Sequence, residues 1–135
     1  MQTTEQYLED WVREYSDHFV MAFHAHDVSL LHPYCHIPSL RLTVDGPRPL
    51  LTRADLDAHW TAAHDHLRPL GYANSILHTV DVSLINDSAA FVTADCGRYD
   101  AAGRELQRFM TSYMLGKTAD GWRITTWITH GQRTL

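Results

Sequence analysis

His78 and Asp95 are of residue types that can share a proton. His78 lies in the alternating run ILHTVDV and Asp95 in AAFVTADCGRY, with Asn86-Asp87 between the two runs. In an apolar cavity burial raises an aspartate pKa and an adjacent imidazole lowers it, so the pair can hold a shared proton near neutral pH. His78 would accept or donate the proton, and Asp95 would fix its tautomer. Tyr113 or Tyr15 could then donate a hydrogen bond to a developing enolate oxygen. That chemistry is proton abstraction beside a carbonyl, dehydration or ring closure. A structural alternative stands beside it: the pair could satisfy each other, or lie on an outer face and meet water.

Whether the two meet depends on the elements that carry them. Thr3 with Gln6 can form a capping box, and Leu8, Trp11, Val12, Tyr15, Phe19 and Phe23 then recur at helical spacing until His26. Asp27 can cap a short second helix limited by Pro33. HIPSLRLTV alternates as a strand, and DGPRP turns the chain. A second capping box, Thr52 with Asp55, starts a third helix with Leu56, Trp60, Ala63 and Leu67 on one face. From Ala73 the period becomes two, and four strands follow, separated by ND, DAAG and TADG.

The turns set a register. A two-residue turn at Asn86-Asp87 puts His78 opposite Asp95, and a loop with left-handed Gly103 puts Asp95 beside Phe109. The TADG loop sets Phe109 opposite His130 and Leu115 opposite Ile124. One row then reads His78, Asp95, Phe109, His130. Its face also carries Trp122, Ile124, Ile128, Tyr113 and Phe91, and as the more apolar face it is assigned to the helix-covered side. Trp127, Met110 and Met114 fall on the outer face, more apolar than a solvated sheet surface should be, which points to a homodimer through that face.

Composition sets the limits. With 135 residues, 44% of them hydrophobic, the chain forms one domain spanning 1–135 with a real core. A formal charge of −5 with only 11 Lys and Arg gives no footprint for nucleic acid or an anionic membrane. No stretch is long and apolar enough for a membrane span, and the N-terminal residues do not read as a signal peptide; the expected location is cytoplasmic. Cys35 and Cys96 read as reduced thiols. His24 with His26, and His64 with His66, are two apart on a helix and do not face one another. His32 and His36 have metal-pair spacing, but Pro33 intervenes and no further ligand motif accompanies them, so no metal is expected. Arg41 and Arg98 could anchor an anionic substrate, with outward salt bridges as the favoured reading. Trp60, Phe19 and Trp127 read first as core or interface. No serine-hydrolase, P-loop or dinucleotide motif is present.

A long helix, a short one, a strand near YCHIP, a helix ending near GYANS and a meander finishing YMLGKTADGWRI together resemble the nuclear transport factor 2-like superfamily. The nearest likeness is to its SnoaL-like and ketosteroid-isomerase-like branches. The resemblance implies an α+β cone, a curved mixed sheet wrapped around the first and third helices with a pocket inside. Such folds host isomerases, dehydratases, cyclases, epoxide hydrolases and noncatalytic binders. The isomerase's base is an aspartate immediately before a proline in the first strand, where this chain has Ile37 before Pro38. His36, one position away, is placed in the pocket by that analogy. The resulting expectation is a cofactor-independent lyase, isomerase or cyclase acting on a small apolar carbonyl compound, with His78 and Asp95 catalytic. Tyr15, Phe19, His36 and Trp60 would contact substrate from the first half of the chain, and Phe91, Phe109, Thr111, Tyr113 and His130 from the sheet. The alternative is a noncatalytic binding or assembly domain.

Overall fold

The computed structural model describes residues 1–134, with side chains placed through residue 131. Helix α1 (Thr4–Ala25) opens with the Thr3/Gln6 capping box, both reciprocal bonds being made. A cap of this kind contributes about 1 kcal/mol to the helix terminus. Its buried stripe holds Leu8, Trp11, Val12, Tyr15 and Phe19, and His26 ends it in the left-handed conformation. A 3-10 segment, Val28–Tyr34, is capped by Asp27 and carries Pro33 inside it. Helix α2 (Arg53–Leu67) has the Thr52/Asp55 capping box and buries Leu56, Trp60, His64 and Leu67. A short 3-10 turn, Arg68–Leu70, follows.

The strands are β1 (Cys35–Thr43), β2 (Gly46–Leu50), β3 (Tyr72–Asn86), β4 (Ala89–Asp100), β5 (Glu105–Thr118) and β6 (Gly121–Thr134). They form one sheet in the order β2-β1-β6-β5-β4-β3. β1 runs parallel to β6, and every other neighbouring pair is antiparallel. The fold is therefore α+β with a mixed sheet, as expected. Its inner face is covered by the helices: Trp60 of α2 packs edge-on against Trp127 of β6, and Tyr15 of α1 against Tyr113 of β5.

Two local expectations are corrected. The segment read as a turn, DGPRP, is largely strand, because β2 lies at the sheet edge, where the missing N–H groups of Pro47 and Pro49 cost no ladder bond. The meander register also differs. The first turn is Asp87-Ser88, with Asn86 opposite Ala89, so the ladder slips by one. Each of the three late hairpins also contains a bulge, at Leu77/Thr79, at Arg98/Tyr99 and at Met114/Leu115 among other places. Gly103 has φ +85°, the left-handed value its loop was expected to need.

A bulge changes which side chains face inward beyond it. Leu115 stands opposite Ile124 as expected, but Met114 stands opposite Thr126, with Thr125 the extra residue. From there Trp127 turns inward and is 3% exposed, while Ile128 and His130 go to the outer face. The expected outer-face Trp127 is thus a core residue, and the expected inner-face Ile128 is not. Met110 and Met114 do lie on the outer face, opposite His130 and Thr126. No described helix is long and apolar enough to cross a membrane.

Candidate active or binding site: a cationic cavity

The curl of the sheet around α1 and α2 leaves a cavity of about 470 Å³. Tyr15 and Phe19 enter it from α1, Trp60 from α2, and Phe109, Thr111 and Tyr113 from β5. These six sequence-nominated residues come together because their elements carry matching apolar stripes. Tyr15 stacks edge-on with Tyr113 at 5.8 Å, and Phe19 with Trp60 at the same distance.

The nominated catalytic pair does not reach the cavity. His78 is the extra residue of the bulge between Leu77 and Thr79, and it is Thr79 that pairs with Asp95. Leu77 and Cys96 take the inward positions. The exposed His78 bonds through Nε2 to the Tyr99 hydroxyl at 2.6 Å. Gly97 permits this, since a Cβ there would collide with the Tyr99 ring. Asp95 is held on the outer face by Arg108, which donates from Nε at 2.6 Å and from a terminal nitrogen at 2.9 Å. His130 bonds to Ser112 at 2.8 Å on that same face. Phe91 is also outward, opposite Met114 and 36% exposed. His36 caps its own strand, with Nδ1 donating to the Pro38 carbonyl at 2.8 Å, away from the cavity. His32 bonds to Asp57 and Arg53 and makes no pair with His36. Among the described residues no group of three or more His, Cys, Asp or Glu could hold a metal ion.

The polar groups that do line the cavity are of a different kind. Arg41, Arg48 and Arg98 all contribute, with His59 and His66, and among the described residues no aspartate or glutamate does. Arg41 stands directly opposite Arg48 across the β1–β2 ladder. Neither arginine, nor Arg98, has a carboxylate within ion-pair distance among the described residues. One Arg41 terminal nitrogen donates to His59 Nε2 at 3.2 Å. Burial, then the charges of Arg41 and Arg48, push the His59 pKa down to about 4, so it is neutral at pH 7. Burial likewise lowers the Arg41 pKa, and the nearby charge of Arg98 lowers it further.

Arg98 lies over the Phe109 ring at 4.6 Å and the Phe19 ring at 5.5 Å. It gives one hydrogen bond to Gln107 Oε1 at 3.0 Å, while its buried Nε has no partner among the described residues. The two phenols are proton donors: burial, before any charge, raises both the Tyr15 and the Tyr113 pKa. Trp127 Nε1 donates to the Tyr15 hydroxyl at 3.3 Å, leaving its O–H for another acceptor. Cys96 also lines the cavity, and burial pushes its pKa up to about 11, so it is a thiol and a poor nucleophile.

Sequence reasoning weighed Arg41 and Arg98 and preferred outward salt bridges for them; the sheet turns both inward. It missed Arg48, whose strand was read as turn, and His59. The available signal was an arginine at an alternation position between two apolar residues, LRL, and another between a glycine and a tyrosine in a strand, GRY.

Comparison with solved structures places the architecture. A domain of unknown function with a cystatin-like fold from Nostoc punctiforme superposes with a TM-score of 0.69 at 17% identity, over 100% of this chain and 82% of its own. A "putative ketosteroid isomerase" from Shewanella frigidimarina gives 0.65 at 15% identity, over 86% of this chain and 91% of its own. A "putative aromatic ring hydroxylase" from Novosphingobium aromaticivorans gives 0.63 at 12%, over 92% and 90%. At these identities the likeness is one of fold. No curated protein matches the sequence. The helices, the curled mixed sheet and the sequence itself agree, and with residues 4–132 matching the family described as NTF2-like protein (DUF6841), the chain belongs to the NTF2-like superfamily.

Proposed function

We propose that the protein binds a small organic anion with a planar or otherwise apolar body in this cavity. The observation that carries the reading is the Arg41–Arg48 cross-strand pair in a lining without a carboxylate. Like charges directly opposite on neighbouring strands destabilise a sheet, and a half-buried guanidinium without a counter-ion is costlier still. A ligand carboxylate or similar group would relieve both. Arginine suits that task, since its planar fork bonds a carboxylate through two parallel N–H groups. Phe19, Trp60 and Phe109 supply faces and edges for the ligand body, and Tyr15 and Tyr113 can donate to a carbonyl oxygen on it.

Matched acids and carboxamides give the test by thermal shift at low salt. Acids should raise the melting temperature and their amides should not. Equal shifts from both would defeat the reading.

A second reading keeps the expected acid/base chemistry, a cofactor-independent isomerase, lyase or cyclase acting beside a carbonyl. What favours it is a neutral imidazole, His59, in a cavity that also holds two protonated phenols able to stabilise an enolate. Arg41 donates to His59 Nε2, so His59 serves as base only after a ligand anion draws Arg41 away. Two neighbours of similar fold are described as a "putative ketosteroid isomerase" and a "putative aromatic ring hydroxylase", which supports this reading by fold analogy alone. Its test is deuterium exchange of an α-proton on the bound acid, followed by NMR. Exchange that is lost in His59→Gln supports catalysis, and absence of exchange in the wild type leaves binding as the function.

A further inference from the structure

The cavity has a second cationic position, distinct from the pair at β1 and β2. Arg98 projects from β4, three strands across the sheet from β1. Along β5 it stands opposite Gln107, whereas the row through Arg41 and Trp127 reaches β5 at Tyr113, six residues further on. Arg41 and Arg98 therefore enter from different ends of the inner face. Their side chains converge on one space, since both line the same cavity and the Arg98 charge is felt at Arg41. Between them the lining is aromatic, chiefly Phe19, Phe109 and Tyr113.

Arg98 has the features of an unused anion anchor. Its guanidinium has five N–H donors, and among the described residues its one hydrogen-bond partner is Gln107. Nε is buried and has no partner among the described residues. Phe109 and Phe19 lie against the group, their ring centroids 4.6 Å and 5.5 Å from its central carbon, in cation–π contact. A half-buried guanidinium whose buried Nε has no partner among the described residues is a binding element awaiting an acceptor.

Building on the anion reading above, we propose that the natural ligand is bis-anionic, with one acidic group held by Arg41 and Arg48 and a second at its far end held by Arg98. A dicarboxylate, or a carboxylate bearing a second acidic group across an aromatic or unsaturated spacer, has the required chemistry. Single acids occupy the Arg41–Arg48 end and leave Arg98 unsatisfied.

Calorimetric titration of the full chain with straight-chain dicarboxylates from succinate to sebacate, and with terephthalate, tests this against the monocarboxylate of equal length in each case. At least one diacid should bind ten-fold or more tightly than its monoacid partner. Arg98→Met should erase that advantage, and Arg98→Lys should keep part of it. If every diacid matches its monoacid within three-fold, the second anchor is refuted while the single-anion reading stands. Failure of all acids to exceed their amides would refute both. The wild-type series decides the matter even if Arg98→Met does not fold.

Discussion

Arg41 on β1 and Arg48 on β2 face each other across an antiparallel ladder, and both residues line the same cavity, Arg41 half-buried and Arg48 exposed. Two like charges in that relation weaken the pairing, since opposite charges or a polar pair at the same positions would contribute several tenths of a kcal/mol. Replacing Arg48 with Thr, a good strand former, should therefore raise the melting temperature of the ligand-free protein at low salt. About 0.5 kcal/mol is the expected gain, shrinking in high salt as screening weakens the repulsion. Thermal denaturation at two ionic strengths measures it. A loss of stability at low salt would show that no repulsion is being relieved.

His64 gives the protein an acid limit. The side chain is 2% exposed, sits against Phe19 and Phe23, and has a buried Nε2 without a partner. Burial first, then Arg68 and Arg98, lower its pKa to about 4. An unfolded histidine titrates near 6.5, so between those two values the unfolded chain takes up a proton that the folded chain refuses. Stability contributed by the neutral imidazole is complete above that window and is lost as pH falls through it, about 2 kcal/mol by pH 5. His64→Leu should flatten the melting-temperature profile between pH 7.5 and 5. An unchanged slope would assign the acid sensitivity to other groups.

The outward placement of His78 and Asp95 predicts a clean negative. His78→Gln and Asp95→Asn should leave anion affinity within two-fold of the wild type. Asp95→Asn should cost about 1 kcal/mol of stability, because it weakens the two-pronged contact with Arg108. Titration and denaturant unfolding of the same samples measure both. A ten-fold loss of affinity in either variant would restore the pair to the site.

Self-association through the outer face of the sheet is our proposal for the protein in solution. Phe91 and Met114 are cross-strand neighbours there, and Met110 and Ile128 share the face. Light scattering at micromolar concentration should give twice the mass of the chain, and Phe91→Lys should shift it toward the monomer. A wild-type monomer would end the proposal. Trp127, buried in the core at 3% exposure, takes no part.

The order of the helices and of the four late strands, both capping boxes and the buried stripes were legible in the sequence because each depends on residues close together in the chain. Thr3 with Gln6 and Thr52 with Asp55 are local signals, and so is the period of α1. The cavity-facing aromatics followed from the same periods, which is why Tyr15, Phe19, Trp60, Phe109 and Tyr113 were found. Facing in the sheet was not legible to the same depth. A turn fixes register only at its own end of a hairpin, and one extra residue beyond it exchanges the two faces. Thr125 did so for β6, sending Ile128 and His130 out and Trp127 in. His78 did so for β3, where the extra residue is the proposed base itself. Arg48 was lost because two prolines resemble a turn, and only the edge position of β2 makes them acceptable in a strand.

The proposed anion site depends on the charge of Arg41 and its neighbour being directed at a ligand. Calorimetric titration of the wild type and Arg41→Met with benzoate and benzamide is the most direct test. It would be run at pH 7 and low salt, with circular dichroism confirming that both proteins are folded. The wild type should bind benzoate at least ten-fold more tightly than benzamide, and Arg41→Met should remove the difference, as loss of a charge-assisted hydrogen bond worth about 1.5 to 3 kcal/mol requires. Equal affinity for the acid and the amide in the wild type, or an acid preference that survives in Arg41→Met, would contradict the proposed site.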